Sequence, residues 1–299
     1  MIRKPTVTIG IPAYNEEANI RHVLSDLLRQ KKQGFKLVKI IVISDQSTDD
    51  TVGEINKVKS KVIKLIENSK RLGQGKSQNK IIKKTTGDIL VLLNADVVIK
   101  DKLFIKKLIS PIISKKADFT SGNIFPLRPR NYFEKILYVS VLLKKDINKK
   151  INNGDNVLTC HGPARAFSKK YYSNFSFKTS VGEDAYSYFW GKSRGFIYKY
   201  VVGAILNYKL PENFKDHENQ SIRFLKSEKL MEENFGKGET KSYRLPVGIA
   251  FKYLLKHLIK NPIEIVVYIA IHFLIKIRSV YKKSDERWVM STSSKVLRL

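Results

Sequence analysis

Short, almost uninterrupted apolar runs alternate with segments of helical period through the first hundred residues. Val7 to Ile11 is the first run. Asn15, Glu16 and Glu17 follow where a helix N-terminus favours acceptors, and Ile20, Val23, Leu24, Leu27 and Leu28 then repeat on one helix face to about Gln30. The second run, Leu37 to Ser44, is nearly all apolar, as expected for a strand covered on both faces. Ser47-Thr48-Asp49-Asp50 has the spacing of a capping box for the next helix, with Asp50 in place of the usual Glu or Gln. Lys61 to Ile66 predicts a third strand, Gly75 to Lys84 a third helix and Asp88 to Leu93 a fourth strand. This alternation predicts an α/β fold with a Rossmann-like, mostly parallel sheet flanked by helices.

The pattern loosens after Asp101. A helix is expected at about 101–115, a strand near Phe119, and an amphipathic or apolar stretch at Ile136 to Leu143 between basic residues. From Pro246 the character changes again. Val247 to Ile259 and Ile263 to Tyr281 are apolar segments split by Asn261-Pro262 and studded with Lys252, Lys256, Lys260, Lys276 and Arg278. Glu264, His272 and Lys276 interrupt the second, so Ile265 to Ile271 falls far short of the roughly 20 residues that cross a bilayer. An interfacial or marginally spanning amphipathic hairpin is the expectation. These shifts divide the chain into halves of one domain at 1–110 and 111–235, a helical segment at 246–283 and a tail at 284–299.

Composition sharpens the picture in two ways. Of 299 residues, 42% are apolar and 10% aromatic, enough to bury a core and to exclude a disordered or fibrous chain. The balance of 56 Lys and Arg against 27 Asp and Glu leaves a formal charge of +29, for which nucleic acid, an anionic membrane surface and a phosphate-bearing substrate all compete. The surplus is uneven. Residues 246–299 carry ten basic and three acidic side chains, and residues 100–150 carry thirteen and four. Cys160 stands alone and is expected to be a small buried hydrophobe, which excludes an internal disulfide framework or a multi-cysteine metal site. Ile2-Arg3-Lys4-Pro5 leads straight into the first strand without a long apolar region, so no signal peptide is expected and the chain reads as facing the cytosol.

In an open α/β sheet, ligands sit outside the carboxyl ends of the strands. Those positions are polar here: Pro12-Ala13-Tyr14-Asn15-Glu16-Glu17 after the first strand, Ser44-Asp45-Gln46-Ser47-Thr48-Asp49 after the second, and Asn94-Ala95-Asp96 after the fourth. An aromatic face and several carboxylates at such points suit a nucleoside and a metal-bound phosphate, although each cluster taken alone also serves as a helix cap or a turn.

The ordered motifs resemble family 2 glycosyltransferases of the GT-A fold. They are the Pro-Ala-Tyr-Asn-Glu run from Pro12 to Glu16, Asp45 to Thr51, Gly87 to Asp96, and the Glu183-Asp184 pair, within roughly residues 5–235. The resemblance implies an inverting transfer of a sugar from a nucleotide-diphosphate donor to an acceptor hydroxyl or phosphate. It places Pro12, Tyr14, Glu16 and Asp45 on the donor, with Tyr14 and Asp45 at the nucleobase, Arg71 on the base or diphosphate side, and Asn94 at the ribose. Asp96 is implied to hold a divalent metal, Mg²⁺ or Mn²⁺, and Asp184, beside Glu183, to be the catalytic base. His217, in Asp216-His217-Glu218, is expected as a metal ligand or a surface residue, and Arg223 as a hand on the diphosphate or acceptor. His161 falls where the family lines its acceptor site.

Two departures stand out against the family pattern. The usual acidic Asp-x-Asp is Asn94-Ala95-Asp96, and the usual Gly before Ser-Thr is Gln46. Other readings fit less well. Gly73-Gln74-Gly75-Lys76-Ser77 contains Gly-Lys-Ser, but a phosphate-binding P-loop needs Gly where Lys70 stands. A sugar-phosphate nucleotidyltransferase would carry a Gly-rich loop after the first strand instead of Pro12-Ala13-Tyr14-Asn15. A non-enzymatic basic protein on a membrane surface stays open, whereas nucleic acid is disfavoured because no helix-turn-helix, RNP-like strand or zinc module is present. The partners implied are a nucleotide-sugar, a saccharide or lipid-linked acceptor, and an anionic membrane at its cytoplasmic face.

Overall fold

The protein is described by a computed structural model covering residues 3–179, 181–281 and 297. The first elements are β1 (Thr6–Ala13), α1 (Ile20–Leu28), β2 (Lys36–Ser44), α2 (Thr51–Lys57), β3 (Ile63–Glu67), α3 (Gln74–Lys84), β4 (Ile89–Leu93), β5 (Val97–Val98), α4 (Phe104–Ile113) and β6 (Phe119–Pro126). They continue with α5 (Tyr132–Asn148), β7 (Ala164–Ser168), the short α6 (Lys169–Tyr172), α7 (Glu183–Lys192), β8 (Tyr198–Tyr208), α8 (Phe214–Thr240), α9 (Val247–Lys260) and α10 (Pro262–Tyr281). The expected α/β architecture with C-terminal helices is present. The described strands form one sheet in the order β3-β2-β1-β4-β7-β6-β8-β5, parallel from β3 to β4, with β7 antiparallel to both β4 and β6 and β5 antiparallel to β8.

The chain forms two compact units, each assembled from separated segments. One contains the chain up to Phe125 together with Cys160–Tyr208, and the other contains Pro126–Thr159 and the helices from Lys209 onward. The first unit is built as its pattern dictates. Ile9 and Ile11 of β1, Ile40 and Val42 of β2, and Val91 and Leu93 of β4 are buried with the apolar face of α1, Ile20, Val23, Leu24 and Leu27. Gly10 lets α3 pack directly on β1, since a methyl group there would stand 2.2 Å from Ile81 Cγ2. A second apolar layer is aromatic: Tyr171 has the rings of Phe119, Phe167, Trp190 and Phe196 at 4.9–5.0 Å between centroids.

In the second unit, Val139, Leu143 and Ile147 of α5 pack with Ile265 of α10 and with Tyr253, Leu254 and Leu258 of α9. Lys135 reaches Glu264 at 2.6 Å, and Asp146 receives His257 Nε2 at 3.1 Å. Helix α8 is broken at Gly236, whose φ of 84° no other residue adopts without strain. Among the described residues, no helix is long and apolar enough to cross a membrane. The expected tail at 284–299 lies, Leu297 apart, outside the described residues.

Two helix starts differ from the expectation. Helix α1 begins at Ile20, after an extra turn in which the Glu16 carbonyl accepts from the N–H groups of Asn19 and Ile20. Asn15 is not its cap, because its backbone is left-handed (φ 52°) and its side chain bonds Thr48. Helix α2 begins at Thr51, and no capping box forms, because Ser47 and Asp49 bond to the β1–α1 loop. At Asn15 and Ser47 long-range partners take the place of local capping, whereas Asp49 serves both ways, its Oδ2 accepting from Glu17 N–H and its Oδ1 from Thr51 N–H, each at 3.1 Å.

Candidate functional site

The loops after β1 and β2 are stitched to each other by the residues that the sequence reading treats as caps. Asn15 N–H donates to Ser47 Oγ (3.1 Å), and Thr48 N–H donates to Asn15 Oδ1 (2.8 Å). Glu16 N–H donates to Thr51 Oγ1 (2.7 Å), and Asp50 N–H donates to Glu17 Oε2 (2.8 Å). Glu16 is buried, and its Oε2 accepts from Asn19 Nδ2 at 2.9 Å. Pro12 is the penultimate residue of β1, paired with Ile43 of β2. These bonds fix the two carboxyl-end loops as one ledge and carry Tyr14 on it.

Asp45 organises the next wall. It is 4% exposed, and its Oδ1 accepts from Asn68 Nδ2 (2.6 Å) and Leu72 N–H (2.9 Å) while Oδ2 accepts from Gly73 N–H (2.7 Å). Three of the roughly four acceptor positions of a carboxylate are therefore taken up inside the loop after β3. Gln46 accepts from Arg71 N–H at 2.8 Å, and the Arg71 guanidinium lies over the Tyr14 ring, 3.9 Å from its centroid. Tyr14, Asp45 and Arg71 are thus brought together, with Gln46 and Asn68 as supports that the sequence reading gives no role.

The end of β4 joins this wall to the acidic pair. Asn94 Oδ1 accepts from Gln74 Nε2 (3.3 Å), and Asn94 N–H donates to the Pro163 carbonyl (3.1 Å). Asp96, half-buried, precedes Val97, which pairs with Tyr208 of β8. A methyl group placed on Gly162, next to Pro163, would lie 3.5 Å from Asp184 Oδ2 and 3.7 Å from Glu183 Oε1. Both carboxylates therefore stand over the same short loop that bonds Asn94. They open α7 after Gly182, whose φ is 69°, and Asp184 Oδ1 accepts from Ala185 N–H at 2.8 Å. The pair thus sits in the first turn of α7 and over the loop at once.

Beneath the pair lies a residue the motifs do not single out. Arg165 of β7 is fully buried, and its Nη1 donates to the Glu183 carbonyl and to Ser187 Oγ, each at 2.9 Å. Its guanidinium also faces the rings of Phe177 (5.5 Å) and Phe167 (5.9 Å). Cys160 is buried as expected, with Sγ 3.7 Å from the Asp184 carbonyl. His161 donates its N–H to Ser121 Oγ (2.8 Å) and sets its ring edge-on to Tyr200.

The family model described as Glycosyl transferase family 2 matches residues 8–175, more than half of the chain and all of the strands and loops just described up to β7. The chain belongs to glycosyl transferase family 2. Similarity to curated relatives is partial. A glucosyl-3-phosphoglycerate synthase from Mycolicibacterium smegmatis is 30% identical over 113 residues, 36% of this chain and 37% of that protein. The matched stretch spans about a third of such relatives. Among solved structures, a mannosyltransferase from Pyrobaculum calidifontis in complex with GDP-Man and Mn²⁺ superposes with a TM-score of 0.61 at 14% identity, over 95% of this chain and 77% of that one. Glucosyl-3-phosphoglycerate synthase from Mycobacterium tuberculosis, solved with Mn²⁺, UDP and phosphoglyceric acid, gives 0.55 at 18% identity over 75% and 78%. At these identities the superpositions establish the shared GT-A fold.

Gln46, where the family 2 pattern has a glycine, has a left-handed backbone (φ 60°), and its side chain accepts from the Arg71 N–H. The two remaining expected residues, His217 and Arg223, both lie on α8 in the second unit. His217 packs edge-on against Phe133, 6.1 Å between centroids, and burial, with Lys144 and His272 adding to it, pushes its imidazole down to about 4. It is neutral at physiological pH, the state in which an imidazole ligates metal. Arg223 is half-buried, one position before the exposed Phe224.

Proposed function

We propose that this family 2 chain transfers a sugar from a nucleotide-diphosphate donor to a hydroxyl or phosphate of a saccharide or lipid-linked acceptor, with inversion. The observation that carries the reading is the junction at the end of β4, where Asn94 bonds Pro163 while Glu183 and Asp184 stand over the adjoining Gly162. It sets the donor loops and a carboxylate pair within one loop of each other.

The chain's own residues divide the work. Tyr14, stacked by Arg71, offers a planar face for a base, and a guanidinium has the charge and donor geometry that diphosphate oxygens call for. Asn94 presents an amide oxygen already used as an acceptor, suited to a ribose hydroxyl. Asp184 takes the acceptor proton in the displacement. Its Oδ1 is held by Ala185 N–H, which leaves Oδ2 on the side of Gly162 to face the incoming hydroxyl.

The donor set also fits a divalent cation. Among the described residues no three His, Cys, Asp or Glu side chains converge, and a hard cation held by one carboxylate plus substrate phosphates needs no such cage. Asp96 is the residue that would hold Mg²⁺ or Mn²⁺, with the Asn94 amide oxygen two positions before it in sequence. When bound, the ion neutralises charge on the departing diphosphate.

Asp184→Asn should abolish transfer while nucleotide affinity, measured by calorimetry, stays nearly unchanged; a fully active variant removes the base assignment. Asp96→Ala should lose the Mn²⁺-dependent part of nucleotide binding. A thermal-shift screen of nucleotide-sugars with Mn²⁺ names the donor, because the tightest ligand stabilises most.

A further inference from the structure

The second unit carries a surface that the transfer reaction does not use. Helix α9 is divided lengthwise into three strips. His257, Leu254 and Tyr253 face inward, towards α5. Val247, Phe251, Leu255 and Ile259, each four residues from the last, form a second strip, and Val247 and Ile259 are 83% and 82% exposed. Lys252, Lys256 and Lys260 form a third strip one position further on, about 100° around the helix, and all three are exposed.

Helix α10 repeats the plan. Glu264, Ile265, Tyr268 and Ile275 are buried, whereas Ile263, Val266, Ile269, Phe273, Ile277 and Val280 are exposed on the opposite side. Lys276 borders that apolar side and Arg278 lies across it, held by Glu218 at 2.7 Å. Two apolar strips on consecutive helices are far more than the scattered exposed hydrophobics of an ordinary surface.

We infer that these faces of α9 and α10 dock the protein on an anionic lipid bilayer, lying in the plane of its interface. Charge selects this partner over a second copy of the chain. Residues 241–281 carry seven Lys and Arg and a single acid, Glu264, which is buried against Lys135. Pairing the face with itself about a two-fold axis would set one lysine row against another, with no acidic row to answer it. An anionic leaflet instead accepts both features at once: the apolar strips enter the headgroup boundary and the lysines stay among the phosphates. Lys252 and Lys260, both exposed, are placed for that depth, whereas the Lys256 ammonium stays beside the Tyr253 ring and Asp146 Oδ2, at 5.5 Å and 3.5 Å. The inference stands on the second unit alone and survives if the proposed sugar transfer fails.

The test is sedimentation of the full chain with vesicles of phosphatidylcholine alone or mixed with phosphatidylglycerol, at low and high salt. Binding should favour the anionic vesicles and weaken with salt. The double variant Lys252→Ser with Lys260→Ser should lower partition into anionic vesicles about thirtyfold. Phe251→Ser and Phe273→Ser, made separately, should each weaken binding without altering the far-ultraviolet circular dichroism or melting temperature, since both side chains are exposed. Equal recovery with and without anionic vesicles would overturn the inference. So would a stable dimer, seen by sedimentation velocity, that Phe273→Ser dissociates, because the face would then be a protein interface.

Discussion

Replacing Asp45 by Asn separates two roles that a motif reading merges. By resemblance this carboxylate meets the nucleobase; in the structure it ties down the loop after β3 through Asn68, Leu72 and Gly73. Asn keeps the shape but owns one acceptor oxygen. The amide oxygen will take the Oδ1 position, where two donors converge, and this leaves its NH₂ group facing the Gly73 N–H that now donates to Oδ2 at 2.7 Å. A bond to a charged acceptor contributes about 1.5–3 kcal/mol, and the two retained bonds drop to roughly half their strength once the charge is gone. At a position 4% exposed, with little water to compensate, the total loss is about 3–6 kcal/mol.

For a unit of this size that corresponds to a fall in melting temperature of about 6–24 °C, measured by calorimetry without nucleotide. Hydrogen exchange should show the loss locally, as faster exchange of the Leu72 and Gly73 amides. If the carboxylate served the base alone, the ligand-free protein would melt within about 1 °C of wild type with both amides still protected, and only nucleotide affinity would fall. That result would refute the reasoning.

Two further predictions follow from buried cations. Lys145 is 7% exposed on α5, and burial, reinforced by Lys149, pushes its ammonium down to about 7 from 10.5. The unfolded chain therefore holds a proton that the folded chain has lost between those values, so stability should rise from pH 7 to pH 9 by up to about 1.4 kcal/mol per pH unit. Lys145→Met should flatten that slope in urea melts, and an unchanged slope would sink the assignment. Arg165→Met removes the donor that holds the Glu183 carbonyl and Ser187 while keeping the side chain's length. We expect kcat to fall about tenfold or more, with donor KM nearly unchanged and partial rescue by Arg165→Lys; a shift in KM alone would contradict a positioning role.

The parallel strands were legible because β1, β2 and β4 are buried on both faces and read as continuous apolar runs, a signal that needs no partner to interpret. The helix starts were less so. Asn15 and Ser47 have the chemistry of caps, but capping and cross-loop bonding call for the same side-chain oxygens, and only the juxtaposition of β1 and β2 decides between them. The same ambiguity applies to the site. Asp45 is an acidic residue after a strand in either role, and the motif does not reveal that its acceptors are engaged from 23 to 28 residues away.

The interleaving of the two units was illegible for a related reason. Helical period in 132–148 and in 247–281 marks apolar faces without saying that they face each other, and the contacts between Val139, Leu143 and Ile265 span more than a hundred residues of sequence. The basic excess becomes intelligible only once those faces are paired. After α5 has taken one side of α9 and α10, Lys252, Lys260 and the leftover hydrophobics remain exposed, where neither a packed core nor a single diphosphate has use for them. The part of the basic excess at residues 241–281, seven cations against one acid, thereby shares a surface with its own apolar counterpart, which is the arrangement an anionic interface selects and a nucleotide site does not require.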